Sequence, residues 1–410
     1  MQTLKLTKKY EKYPEYKDSG VEWFGKVPKD WQVGPLRSVL VERVEKNKKL
    51  VTDNILSVMK DVGVIRYADK GDVGNKSSDR PENYKIVHAG DIVLNSMNLV
   101  IGSVGQSKEL GVTSSVYIIY YPRNKEIFAD YYHYLFRNKS WQKTLGRLGK
   151  GIMELRESIN SDLLKIEPVP IPPLNQQKAI VAFLDEKTFS IDQIIEKKQK
   201  LIELLKEKKS ETINESVTNV LGSTEKLKYI APERKIKLDI APANLKYIGL
   251  ENVESLTGKI VDSKEKSEPE SSVNIFYKGD VLFGKLRPYL AKVLSVDFDG
   301  VCSGEFLTLV PKKGKVIPKY LFYKLLSKDF IKAINDSTYG TKMPRANWQF
   351  IGNQMISYPP IEEQIKIVKS LDEKMEVFEK LISDINRSIE FLQEFKSSLI
   401  SSVVTGKIKV

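Results

Sequence analysis

The chain has 410 residues, of which 41% are hydrophobic and 29% are charged, so it is long enough for two or three packed domains and is not globally disordered. Its formal net charge of +13 is shared by both halves. Nucleic acid is a natural partner for such a chain, although a basic protein without a polyanionic partner fits the charge equally well. One cysteine and two histidines exclude a disulfide framework and a Cys-based zinc site. No apolar run could span a membrane and the N-terminus has no signal core, so we expect a cytoplasmic protein without membrane contact.

The first 172 residues have the pattern of a compact module that mixes strands and helices. The apolar runs Ile92–Leu94 and Val116–Tyr120 predict strands, because Gly, Asp, Asn and Pro punctuate them. A helix is expected near Tyr131–Gly146. We predict a first module over residues 1–172.

A long helix is predicted over residues 173–220. It follows Pro172-Pro173, with Asn175 as the expected N-cap, and the chain contains no further Pro or Gly until Gly222. At 1.5 Å per residue such a helix spans ~65 Å.

The same order of elements then returns. Strands are predicted at Val281–Phe283 and Phe306–Val310, a helix near Tyr320–Asn335, and a second long helix from Glu362 to about Val404. These elements define a second module over residues 221–359 and a second long helical segment over residues 360–410.

Internal repetition explains this order. Residues 171–187, which begin Ile171-Pro172-Pro173-Leu174, match a stretch 187 positions later that begins with Tyr358, and Gly90-Asp91 matches Gly279-Asp280 at 189 positions. A register that constant indicates an internal duplication. We therefore predict an α+β (mixed α/β) fold with pseudo-two-fold duplication, in which two tandem modules alternate with two long helices.

The long helices carry a heptad pattern that predicts an antiparallel coiled coil. In the second helix the pattern is broken only by Lys396, and the first helix places Thr188, Lys198 and Lys209 at such positions. The alternative is that each helix packs only on its own module. The apolar positions of the second helix are Leu371, Met375, Phe378, Ile382, Ile385, Ile389, Leu392, Leu399 and Val403.

Catalytic motifs are missing from the sequence. None of the Gly-Lys pairs is followed by Ser or Thr, and no Gly-x-Gly-x-x-Gly fingerprint is present, which excludes a Walker A loop and a dinucleotide fingerprint. Asp185-Glu186-Lys187 and Asp372-Glu373-Lys374 resemble a nuclease element, but both lie within heptad helices, where a solvated charged face is the simpler interpretation. Cys302 is interpreted as a small packed residue. We predict a chain without catalytic residues, metal or bound cofactor.

Basic, amide and aromatic side chains gather in loops at equivalent places of the two modules. Such side chains contact phosphates, guanine, adenine or base faces, although a basic loop residue taken alone is more often solvated surface. The predicted DNA-binding residues of the first module are Asn95, Ser96, Asn98, Arg147 and Lys150. Those of the second module are Lys285, Arg287, Tyr289, Lys292, Thr341, Lys342, Arg345, Asn347 and Trp348.

Three motifs give the sequence a family resemblance. They are the opening segment Tyr16–Trp23 with Pro28 and Trp31, the doubled Pro-Pro-Leu/Ile-x-x-Gln start of each long helix, and the loop Gly340–Arg345. With them the whole chain resembles the specificity (S) subunit of Type I restriction–modification systems. Asn175-Gln176-Gln177 departs from the acidic residue that precedes Gln364 in the second copy.

The resemblance implies a non-catalytic subunit of a DNA adenine-N6 methyltransferase and Type I restriction endonuclease. Each of two target-recognition domains would read one half of an asymmetric bipartite site in double-stranded DNA, and the helices would set the gap. Two methyltransferase (M) subunits would dock on the helices and bind S-adenosylmethionine, while restriction (R) subunits would use ATP and Mg. The alternatives are a modification-only methylase complex, a coiled-coil scaffold for proteins, or a bifunctional enzyme with its own active site.

Overall fold

The computed structural model describes residues 10–60, 62–71, 81–150, 158–239, 241–242, 244–261, 272–338 and 343–410. The chain forms two compact units. Unit 1 comprises Met1–Glu196 with Ser388–Val410, and unit 2 comprises Lys197–Arg387. Each unit thus contains one end of each long helix, and so the two units are not simply successive segments of the chain.

Unit 1 consists of short strands, three short helices, the beginning of one long helix and the end of another. The strands are β1 Tyr16–Asp18, β2 Lys26–Pro28, β3 Gln32–Pro35, β4 Leu40–Glu42, β5 Leu56–Met59, β6 Gly63–Arg66, β7 Lys85–Val87, β8 Ile92–Asn95, β9 Val104–Gln106, β10 Gly111–Thr113, β11 Tyr117–Pro122, β12 Gly149–Lys150, β13 Ser158–Ile159 and β14 Pro168–Ile171. The helices are α1 Ala129–Phe136, α2 Lys139–Leu145, α3 Ser161–Ile166 and α4 Leu174–Thr218, which continues into unit 2.

The central sheet of unit 1 has the order β4-β11-β8-β9 and is antiparallel throughout. Its apolar face packs on an aromatic core in which Trp31, Tyr120 and Trp141 are fully buried. Residues from both long helices complete this core, among them Leu184 and Val403. The module is therefore fixed to both helices by apolar packing.

Unit 2 repeats this plan. Its strands are β15 Ser223–Lys226, β16 Lys237–Leu238, β17 Lys246–Ile248, β18 Val273–Phe276, β19 Val281–Gly284, β20 Val293–Ser295, β21 Gly300–Ser303, β22 Phe306–Leu309 and β23 Met355–Tyr358. Its helices are α5 Leu227–Ile230, α6 Pro318–Leu326, α7 Lys328–Asp336, α8 Trp348–Ile351 and α9 Ile361–Val404, whose end lies in unit 1.

The sheets of unit 2 correspond to those of unit 1. The order β20-β19-β22 matches β9-β8-β11, and β15-β23 matches β3-β14. The core again takes residues from both long helices, with Ile213 and Val217 from α4 and Leu371 and Met375 from α9. The predicted duplication and the mixed α and β content are confirmed.

Two local predictions were wrong. Each module has two short helices where one was expected, because the chain turns between them; in the first module Asn138 caps α2 by accepting hydrogen bonds from Ser140 N and Trp141 N. In addition, α4 begins at Leu174, so Asn175 lies within the first turn. The carbonyl of Pro173 accepts the first helical hydrogen bonds, from Gln176 and Gln177.

The long helices run antiparallel within each unit. In unit 1, Asp192 near the middle of α4 contacts Lys396 of α9, and in unit 2, Lys209 of α4 contacts Glu379 of α9. The predicted antiparallel pairing is confirmed in both units. None of the helices in the described part of the chain is long and apolar enough to cross a membrane.

A tyrosine–aspartate hydrogen bond attaches each module to the helix that follows it. The hydroxyl of Tyr134 donates to Asp185 at 2.6 Å, and that of Tyr323 donates to Asp372 at 2.5 Å. Burial and the adjacent carboxylate raise the pKa of Tyr134 to about 12, so the hydroxyl keeps its proton. The aspartates that head the nuclease-like triplets are exposed, as expected for a solvated charged face, and each also accepts a hydrogen bond from a tyrosine of its module.

Candidate nucleic-acid interface

In unit 1 the two predicted stretches meet through β13. The amide of Ile159 donates to the carbonyl of Ser96 at 3.0 Å, and β13 pairs with β12, which contains Lys150. The loop that follows β8 and the segment that begins at Gly149 are therefore neighbours in the fold.

Ser96 is a structural residue of this junction. Only 5% of it is exposed, and its hydroxyl donates to the carbonyl of Val116 at 2.7 Å and lies 2.9 Å from the hydroxyl of Ser158. Internal contacts use this hydroxyl, so the expectation of a surface contact with DNA does not fit its burial.

The other predicted residues of unit 1 differ in how free their side chains are to contact DNA. Asn98 is exposed, whereas the amide oxygen of Asn95 accepts a hydrogen bond from Met97 N. Arg147 is exposed but forms an ion pair with the buried carboxylate of Glu167 and donates to the carbonyl of Thr144. An ion-paired arginine must exchange partners before it can bind DNA, so Asn98 is the more accessible of these groups.

Unit 2 repeats the junction with different side chains. The amide of Ala346 donates to the carbonyl of Lys285 at 3.0 Å, and the amide of Arg287 donates to that of Pro344 at 2.8 Å. The first bond is the repeat equivalent of the bond between Ile159 and Ser96. The structure thus brings together the two loops that the sequence singled out in each module.

Arg287 is the best-placed cation of this site. Its backbone lies in the left-handed region with φ 48°, a conformation rarely adopted by residues other than glycine and frequent at functional sites. Its side chain is exposed and makes no hydrogen bond or ion pair with any residue that the structure describes. Tyr289 in the same turn is also exposed, by 49%.

Arg345 is held by an acidic partner that the sequence analysis missed. Its guanidinium donates to Glu305 at 2.6 Å, and Glu305 follows β21 in the chain. Glu305 directly precedes β22, the strand that pairs with β19. Its place in the chain could therefore have indicated that it lies near the loop after β19.

The remaining predicted residues of unit 2 have structural roles or lie outside the described residues. Lys292 donates to the carbonyl of Leu250 at 2.6 Å, and burial lowers its pKa. Asn347 is the N-cap of α8 and accepts from Phe350 N at 2.8 Å, while Trp348 packs against the core. Thr341 and Lys342 lie outside the described residues, as does the side chain of Lys150.

A cleft of about 490 Å³ opens beside this loop. Arg287 and Lys292 line it together with Glu251 and Glu305, and Tyr247 forms part of the wall. The mixture of cations, carboxylates and an aromatic ring is suited to polar groups at the edges of bases rather than to phosphates alone.

Comparison with known families finds one domain twice. A family model described as the Type I restriction modification DNA specificity domain matches residues 28–206 and again residues 226–390. The two matches include most of both modules and most of both long helices.

Curated relatives carry consistent descriptions. The Type I restriction enzyme MjaVIII specificity subunit of Methanocaldococcus jannaschii is 22% identical over 417 residues, which are 94% of this chain and 94% of that protein. The Type I restriction enzyme EcoDI specificity subunit of Escherichia coli is 24% identical over 176 residues; this match spans 42% of the present chain and 39% of that relative.

Solved structures share the fold. A chain from a study of complex assembly and conformational transition of the type I R-M system superposes with a TM-score of 0.69 at 14% identity and covers 92% of this chain and 98% of that one. The HsdS subunit of Thermoanaerobacter tengcongensis gives a TM-score of 0.51 at 14% identity, with 93% and 98% covered.

Proposed function

The chain belongs to the Type I restriction modification DNA specificity family and carries two copies of its domain, and from this premise we propose that each copy reads one half of an asymmetric, split sequence in double-stranded DNA. Specificity subunits carry no catalytic site of their own. The chemistry of the complex therefore belongs to partner subunits, and the task of this chain is to select the DNA sequence.

One observation carries the proposal. The two modules keep the same backbone hydrogen bond at the junction of their loops, from Ile159 to Ser96 in one and from Ala346 to Lys285 in the other. The exposed side chains beside this bond differ, with Asn98 in the first module and Arg287 at the equivalent position of the second. A scaffold that is kept while its exposed chemistry changes is expected where two copies of one module read different bases.

The proposal extends to the partners. Two methyltransferase subunits dock on the paired helices and bind S-adenosylmethionine, and restriction subunits, where present, bind ATP and Mg. The exposed apolar side chains of the helices, among them Phe189 at 63% and Phe391 at 57%, support docking of partner proteins there. The helices also set the length of the unread gap between the half-sites.

The test is a map of N6-methyladenine across the genome in cells with and without this gene, with the neighbouring methyltransferase gene expressed in both. We expect methylation of one split motif, with two different halves, to vanish when the gene is deleted. An unchanged map would overturn the proposal. Restoring the gene on a plasmid is the control, because it must return methylation to the same motif.

A further inference from the structure

A basic loop of unit 1 lies outside every stretch discussed so far. It comprises residues 46–51 and follows β4 in the chain. Lys46, Lys48 and Lys49 are exposed, and none of them forms an ion pair or side-chain hydrogen bond with a residue in the described ranges. Leu50 is 61% exposed beside them. The loop thus presents unpaired positive charge next to an apolar side chain.

The loop is rigid because it is built around a buried amide. Asn47 is 0% exposed, and its side chain donates to the carbonyl of Thr52 at 2.8 Å and accepts from the amide of Val51 at 2.8 Å. The backbone amide of Asn47 donates to the carbonyl of Tyr84 at 2.9 Å. A fully satisfied buried amide fixes the loop's conformation.

That conformation forces a leucine into an unfavourable geometry. Leu50 has φ 48°, in the left-handed region where glycine is the favoured residue. Its amide donates to the carbonyl of Asn47 at 2.8 Å. A leucine that is strained and exposed at once stabilises neither the backbone nor the core, which points to a role outside the fold.

The position of this basic loop relative to the loop that contains Asn98 follows from the strand pairing. Strands β4 and β8 are both antiparallel to β11, but β4 ends opposite Tyr120, where β8 begins, and β8 ends opposite Tyr117. The chain after β4 continues along β11, where Arg43 donates its amide to the carbonyl of Ile119. Lys46 then pairs with Lys85, whose ammonium donates to the carbonyl of Tyr117 at 2.8 Å. The basic loop therefore starts near the end of β11 at which β8 ends and the loop that contains Asn98 begins.

We propose that residues 46–51 form a further DNA-contacting loop of the first module, in which Lys48 and Lys49 bind backbone phosphates and Leu50 packs on the edge of a base pair in the first half-site. Lysine is suited to phosphate as a point charge, and the thymine methyl is the apolar group that the major groove offers. The proposal rests on the proposed function, since it assigns a further contact to the same DNA.

The first test replaces Leu50 by glycine. Because glycine prefers this backbone geometry, Leu50→Gly should fold with unchanged or higher stability, yet bind the specific site about tenfold more weakly. The protein is the full chain with its methyltransferase subunits. The probe is a duplex that carries the split motif from the methylation map, compared with a duplex of random sequence. We expect the loss on the specific duplex and a relaxed preference at one base pair of the first half-site.

The chain offers a matched control. Leu256 in unit 2 also has a positive φ, of 65°, and is 48% exposed, so Leu256→Gly makes the same chemical change in a different loop. It should leave the preference in the first half-site unchanged. Wild-type binding by Leu50→Gly, or the same loss in both variants, would overturn the role of Leu50.

The second test concerns the phosphate contacts. Lys48→Ala and Lys49→Ala should each weaken binding to both duplexes and lower the slope of log affinity against log salt by about one. Lys125→Ala is the control, because Lys125 follows the opposite end of β11. An unchanged slope in both lysine variants would overturn the phosphate contacts. If the wild-type complex binds neither duplex, the proposed function fails and this loop's role fails with it.

Discussion

Lys396 on α9 donates to both carboxylate oxygens of Asp192 on α4, at 2.6 and 2.7 Å. Lys396 interrupts the heptad pattern of its helix, and its side chain is only 18% exposed. Lys209, its repeat equivalent on α4, is 11% exposed and contacts Glu379 at 3.2 Å. Each of these two lysines, which lie at equivalent positions of the two units, is thus paired with a carboxylate of the other helix.

Exchange of the charges of Lys396 and Asp192 should reveal how much this pair contributes to the free energy of unfolding. Lys396→Glu places two carboxylates together and should lower the free energy of unfolding by about 1 kcal/mol, the upper range for a partly exposed pair. Adding Asp192→Lys restores opposite charges and should recover most of the loss. Denaturant unfolding of the two single variants and the double variant measures the coupling. Additive effects would show that the pair does not stabilise the helices.

The pair in unit 2 should respond to acid. Burial would raise the pKa of Glu379, but hydrogen bonds from Lys259 and Lys209 outweigh it and hold the pKa below its ordinary value of 4.5. A carboxyl with a lowered folded-state pKa stabilises the fold above its unfolded-state pKa and loses that effect as the pH falls through the folded-state value.

Glu379→Gln should therefore be less stable than the wild type at neutral pH, and this difference in stability should disappear as the pH falls below 4.5. Thermal unfolding at a series of pH values measures it. Glu373→Gln on the same helix is the control, since Glu373 forms no ion pair within the described residues. A stability difference that stays constant with pH would contradict a stabilising role of the ionised Glu379.

Sequence pattern predicted the elements but not the contacts between distant elements. The strands around Ile92 and Val281 and both long helices were placed correctly, because hydrophobic period and Pro or Gly boundaries are local signals. The pairing of Asp192 with Lys396 joins positions far apart in the chain, so no local pattern reveals it. In the same way, no local pattern indicates that the exposed Asp185 accepts a hydrogen bond from Tyr134.

The candidate site was predicted in outline for a similar reason. The sequence identified loops that the fold does bring together, yet it could not tell which polar groups the protein itself uses. Ser96 and Lys292 are occupied by backbone carbonyls, and Arg345 is occupied by Glu305. Burial and partners decide whether a side chain is available, and both depend on the tertiary fold.

The glutamine of each Pro-Pro-Leu/Ile-x-x-Gln motif should be essential for folding of its module. Gln364 is 0% exposed; its amide group donates to Lys315 O and Pro359 O, and its oxygen accepts from Ile317 N. Gln177 makes the equivalent contacts with Glu126 O, Pro172 O and Phe128 N.

Gln364→Ala leaves these backbone groups without partners and should cost on the order of 3 kcal/mol. Gln177→Ala should cost about as much, whereas Glu363→Ala at the exposed neighbouring position should cost little. Chemical unfolding monitored by circular dichroism compares the three variants. Equal midpoints for Gln364→Ala and Glu363→Ala would show that the motif has another purpose.

Helix length should set the unread gap of the DNA site. Insertion of one heptad into both α4 and α9 keeps the apolar pattern in register and adds about 10 Å of helix, the length of about three base pairs. We expect the methylated motif to keep both half-sites while the gap between them lengthens by up to that amount. Methylome sequencing reads the motif directly, and scrambled heptads of equal length serve as the control. A lengthened pair of helices with an unchanged gap would contradict the role of the helices as a spacer.

Arg287 should determine one base pair of the second half-site. Its side chain has no partner among the described residues, so it can bind a guanine edge without first breaking an internal bond. Arg287→Ala should therefore cost 1–3 kcal/mol, or about tenfold or more in binding, and relax the preference at one position. Lys313→Ala removes a charge beyond the opposite end of β22 and should alter no position. Sequencing of methylated sites with each variant compares the two halves of the motif: equal damage to both halves by Arg287→Ala would mean that this arginine supports assembly of the complex and does not read bases.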